Sequence, residues 1–146
     1  HNLADKHDTH VGVAMALVAA LRRVAPEYRP ERVYGVEVWR DLDWLPDAEK
    51  VVFDVSDHES LQAALVGVYD SQIAGGKRYD LATLGRRRAN ATYHASHDVD
   101  TSTAAIFAMD ITPVTLPDGP DPVAFTLAAV DRFRADVESR IRKFIR

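Results

Sequence analysis

The 146-residue chain reads as a three-layer α/β domain, with helices on both faces of a largely parallel sheet. Two observations carry that expectation. Helical and strand-like patterns alternate along the whole length, and the strand-like stretches are short, rich in valine and bounded by turn residues. In sheets of this kind ligands sit beyond the carboxyl ends of the strands, so a loop carrying chemistry is looked for there.

The elements follow in order. Val11, Ala14, Met15, Val18 and Leu21 recur at helical spacing after Thr9, a residue suited to an N-cap, and Pro26 with Pro30 ends the run. Residues 32–39 are strand-like through Val33, Val36 and Val38, and 40–48 read as a polar loop holding Asp43 and Asp47 beside Trp44. Val51 to Val55 is a second short strand. Ser56-Asp57-His58-Glu59 has the form of a capping box, and Leu61, Ala64, Leu65 and Val68 give the helix behind it an apolar face until Gly75-Gly76. A third helix is expected from Asp80 to about Thr92, a strand over residues 104–109, and a loop from Pro113 to Pro120. Asp121-Pro122 then caps a long last helix, with proline at its first position. Along that helix Val123, Val130, Phe133, Val137, Ile141 and Phe144 lie on or near one stripe, expected to pack along the sheet or a neighbouring subunit.

Composition bounds the function. A content of 47% apolar and 27% charged residues is that of an ordinary globular domain, and nothing in the pattern requires two domains. With no cysteine there are neither disulfides nor thiolate metal sites, which fits a reducing, cytoplasmic setting. The apolar runs are far short of a membrane span, so no membrane partner is expected. A net charge of -4 argues against a nucleic-acid partner, because neutralising phosphates needs a basic face.

The chemistry concentrates at the start of the first helix. His7 and His10 are three positions apart and so share a face, and Asp5 and Asp8 are placed to orient a ligating ring by accepting its second N–H. Other candidates have plainer readings. His94 and His97 repeat the spacing but suit the end of a helix. Trp39 and Trp44 can stack on a sugar ring or simply anchor a loop. Arg86, Arg87 and Arg88 can grip an anion, although consecutive helical positions diverge by about 100° and cannot all face one ligand.

The stretch His7-Asp8-Thr9-His10 resembles the His-Pro-Asp-His motif of the PIG-L (LmbE-like) family of metal-dependent N-deacetylases. The resemblance continues through Glu37-Val38-Trp39-Arg40-Asp41-Leu42-Asp43-Trp44, Tyr69-Asp70-Ser71-Gln72 and Arg86-Arg87-Arg88-Ala89-Asn90-Ala91-Thr92-Tyr93, covering nearly all of the chain. It implies a Rossmann-like fold and a divalent metal, usually zinc, that activates water against the N-acetyl group of an amino sugar or its conjugate. By position His10 matches the metal-ligating histidine, and His7 matches the one that serves as general acid or oxyanion stabiliser; the substrate-binding residues are not assigned. Thr9 stands where the family often has an orienting aspartate, and Asp8 replaces the proline.

The family's Ala-His-Pro-Asp-Asp run, which carries two further metal ligands and the general base, is not in this sequence. The whole chain, 1–146, is therefore read as the C-terminal part of one such domain, with its N-terminal strands missing and its zinc site incomplete. Taken alone it is expected to be inactive, because one histidine pair falls short of three protein ligands. Incompletely covered strands would favour a homo-oligomer or a partner chain. The alternative from another class is a non-catalytic α/β module, associated with or fused to a sugar-phosphate enzyme resembling glucosamine-6-phosphate deaminase. A third is a small anion-binding protein built on the arginine cluster.

Overall fold

The computed structural model describes residues His1–Ile145 as a mixed α/β fold with five α-helices and a small three-stranded sheet. Helix α1 is Asp8–Leu21, followed by β1 (Tyr34–Gly35), β2 (Lys50–Asp54), α2 (Glu59–Gly67), α3 (Asp70–Ala74), α4 (Tyr79–Tyr93), β3 (Ala105–Asp110) and α5 (Pro122–Arg142). The strand order is β1-β3-β2. β1 runs antiparallel to β3, with Tyr34 opposite Asp110 and Gly35 opposite Met109, which departs from the largely parallel sheet expected of the sequence. The chain divides into two compact units, His1–Val51 with Ala108–Arg146, and Val52–Phe107.

In the first unit the core gathers Ala14 and Val18 of α1, Val33, Leu42, Leu45, Ala108, Met109, Ile111, Val114 and Ala129. Helix α1 starts at Asp8 with His7 as its cap residue, so Thr9 lies inside the first turn instead of capping it. The reason is Asp5, whose Oδ1 accepts the His7 backbone N–H at 3.0 Å and fixes the entry to the helix two residues earlier. At the other end the Arg22 guanidinium donates to the carbonyls of Val114 at 2.8 Å and Pro120 at 2.7 Å, tying α1 to the loop before α5. The long strand expected over 32–39 shrinks to two residues. Beyond Gly35 the chain becomes a strap: Glu37 Oε1 accepts from the Leu42 N–H and from Trp44 Nε1–H, both at 2.9 Å, while Asp41 and Leu42 take left-handed backbone angles (φ 53° and 60°).

Gly35 has a packing reason. A Cβ there would lie 2.9 Å from the side-chain nitrogen of Asn2, which is fully buried and caps the Ala4 N–H through Oδ1 at 2.9 Å. The N-terminal lead is thereby seated against β1.

The second unit holds α2 and α3, each packed on α4. Ser56 does not cap α2. Its hydroxyl donates to Asp54 Oδ1 at 2.5 Å and accepts the Thr103 N–H at 2.8 Å, and the chain enters α2 through a left-handed His58 (φ 60°). The single helix expected up to Gly75-Gly76 breaks after Gly67, where valines on either side and the glycine itself are weak helix formers. Asn90, buried in α4, donates to the Ala105 carbonyl at 3.2 Å.

Helix α5 forms as expected, with Asp121 Oδ2 accepting the Ala124 N–H at 2.8 Å. Only Pro122, Thr126 and Ala129 are buried in it. From Asp131 to Ile145 every residue is exposed, including Phe133 at 39% and Ile141 at 56%, and Val123 is exposed as well, so of the expected stripe only Val130 is half-buried and the helix packs through Pro122, Thr126 and Ala129 instead. Intrahelical pairs Arg140–Asp136 at 2.9 Å and Arg142–Glu138 at 2.6 Å support the remainder. None of the described helices is long and apolar enough to cross a membrane.

Candidate metal centre at the start of the first helix

Asp5 organises the site. Its side chain is 2% exposed and its Oδ1 takes two hydrogen bonds, from the His7 backbone and from His10 Nδ1, the latter also at 3.0 Å. A buried carboxylate needs such donors to offset its lost hydration. The orienting role that the sequence offered to Asp5 and Asp8 alike is occupied by Asp5, while Asp8 lies exposed in the first turn of α1.

The imidazoles cluster around this carboxylate. The His1 ring stacks on His10 at 4.1 Å and 15°, and His7 meets His10 edge-on at 5.3 Å. One donor atom from each of His1, Asp5 and His10 lies within 4.8 Å of the others. Two imidazoles and a carboxylate are a donor set suited to zinc, which takes three protein ligands at about 2.0–2.2 Å in sites that keep a fourth position open. Bringing these three donors onto one ion requires side-chain adjustment of about an ångström, within reach of rotamer changes. The residues therefore fit the metal that the resemblance implies.

His7 stands apart from that trio. It is exposed, its ring packs edge-on against Trp39 at 4.8 Å, and among the described residues neither ring nitrogen is hydrogen-bonded. Lys6 Nζ lies 5.8 Å from the centre of the Trp39 ring, a cation–π distance that lends the indole a second neighbour. Arg40 Nη1 donates to the Ala4 carbonyl at 2.8 Å and holds the strap against the N-terminal lead. Trp44 is committed to Glu37 through its indole N–H, which makes it an anchor of the strap and not a stacking surface.

Glu37 is the residue that sequence reasoning passed over. It is 5% exposed, and its Oε2 is buried without a hydrogen-bond partner among the described residues. Burial raises its pKa above the ordinary carboxyl value, against the N–H groups of Leu42 and Trp44, which lower it; the negative field of Asp5 raises it further. Such a group favours the folded state fully below its unfolded pKa, and that contribution is lost as pH rises through the elevated folded value. In metal-free protein the stability of Glu37→Gln relative to the parent is therefore expected to grow from acid to neutral pH. Thermal unfolding of both between pH 4 and pH 8 measures this. A difference that stays flat would show that Glu37 is ionised without penalty.

The other candidates lie elsewhere. His94 packs on Phe107 at 5.2 Å, near the end of α4, and among the described residues neither His94 nor His97 joins a group of metal-ligating side chains. Arg87 and Arg88 engage Gln62 and Glu59. Gln72 is exposed in α3. No protein-family model, curated protein or solved structure matches this chain.

Proposed function

We propose that the chain is part of a zinc-dependent N-deacetylase, built on a three-layer Rossmann-like sheet and acting on an N-acetylated amino sugar or its conjugate. The observation that supports this most is the convergence of His1, Asp5 and His10 beside an unengaged His7 on the same turn. His1, Asp5 and His10 would hold the ion, which when bound supplies Lewis acidity toward the acetyl carbonyl and acidifies water.

The chain's own residues do the rest. The Asp5–His10 Nδ1 contact holds the His10 ring beside the carboxylate, so that both side chains stay close enough to share one ion. His7, held edge-on by Trp39, has N–H capacity free for the oxyanion that develops on the acetyl oxygen, and in its protonated form it can hand a proton to the departing amine. His1 and Asp5 would add to the donors expected from the histidine pair, while the resemblance puts two further ligands beside the general base. The resemblance places that base in a motif this sequence lacks.

Acetate release from an N-acetylated amino sugar by the full-length protein tests the reading. Chelation is expected to abolish it, and His7→Ala to lower the rate by about 10² to 10³-fold while the protein keeps its metal. Release that survives chelation would refute the proposal, and metal lost equally from His7→Ala would make His7 a ligand.

A further inference from the structure

The arginine run is not absorbed by the metal centre, and within the second unit it meets a cavity of about 60 Å³. Ser56, Glu59, Gln62, Arg87, Arg88 and Thr103 supply its polar lining, with Leu84 and Ala104. Arg86 is not part of the lining, in keeping with the divergence of neighbouring helical positions. The space is larger than the roughly 10–15 Å³ that a single water needs and is of a size for a small oxyanion.

Two guanidiniums and one carboxylate line the cavity. Arg88 is paired with Glu59. Arg87 is not paired with any acid: among the described residues its one hydrogen bond runs from Nη1 to the neutral Gln62 Oε1, at 2.9 Å. Burial alone depresses its pKa, with no carboxylate acting in the other direction. A guanidinium stays protonated throughout the accessible pH range, so it remains a half-buried cation with Nε and Nη2 unspent among the described residues. The Thr103 backbone N–H is used by Ser56, whereas its hydroxyl makes no hydrogen bond among the described residues. Asp54 is not part of the lining and is occupied by Ser56.

We propose that this cavity is an oxyanion site for a phosphoryl group, gripped by the free edge of Arg87 with Thr103 beside it, the rest of a phosphate ester remaining outside. The planar fork of arginine matches two oxygens of such a group at once. The site is independent of the metal centre and stands or falls without it.

Calorimetric titration with inorganic phosphate, glucose 6-phosphate and acetate at constant ionic strength tests it. Phosphate is expected to bind saturably at one site per chain and to compete with the sugar phosphate. Arg87→Gln should weaken it at least tenfold, Arg87→Lys should weaken it less, and Arg78→Gln, whose arginine pairs with Asp80 outside the cavity, should leave it unchanged. Circular dichroism identifies any variant that fails to fold, in which case Arg87→Lys decides. Absence of saturable phosphate binding up to about 20 mM, the weak end of measurable affinity, overturns the proposal, as does equal binding by the Arg87 variants. Acetate bound in preference to phosphate would replace the phosphoryl group with a carboxylate.

Discussion

Gly119→Ala is expected to cost about 3 kcal/mol, the upper part of the range for forcing atoms into packed space. A Cβ at this position would stand 2.1 Å from the Pro113 carbonyl oxygen and 3.0 Å from that of Leu116. Both are backbone atoms, so no side chain can swing aside. The Leu116 carbonyl already accepts the Gly119 N–H at 3.0 Å, and the neighbouring Val114 and Pro120 carbonyls are held by Arg22. The loop therefore cannot open without releasing the end of α1 as well. For a domain near 150 residues each kcal/mol moves the midpoint by roughly 2–4 °C, so thermal unfolding should show a drop of about 10 °C. An unchanged midpoint would mean that the loop relaxes freely and that the Arg22 clamp carries little.

His10→Ala is expected to lower zinc affinity by more than about 100-fold, beyond the 10- to 100-fold typical of losing a residue that only orients a ligand. His10 is half-buried, stacked on His1 and bonded to Asp5, so its removal takes one donor from the trio and leaves a buried carboxylate with one hydrogen bond fewer. Competition titration with a chromophoric chelator measures the change. Affinity within tenfold of the parent would place the ion elsewhere.

What the sequence made legible was local. The last helix and its Asp121 cap, the helix over residues 79–93 and the strand over 105–110 lie within a residue or two of expectation, because each is set by its own periodicity and end signals. The capping box at Ser56 failed because its hydroxyl donates to the Asp54 carboxylate and accepts the Thr103 amide N–H, which draws it away from the helix. The strand over 32–39 failed for a similar reason: valine spacing favours extension, but Glu37 collects two donors from five and seven residues downstream and bends the chain.

The site shows the same division. His7 and His10 were readable because a spacing of three on a helix is local information. His1 and Glu37 were not, since a lone histidine without a patterned partner and a glutamate between valines carry no signal until the N-terminal lead and the strap fold against each other through Asn2 and Arg40.

X-ray absorption at the zinc edge of the metal-loaded protein tests the central claim most directly, because it counts the donors around the ion. Two imidazole nitrogens and a carboxylate oxygen at about 2.0–2.2 Å are expected, falling to one imidazole in His1→Ala. A single imidazole in the parent, with oxygen from water completing the shell, would contradict the joint assignment of His1, Asp5 and His10.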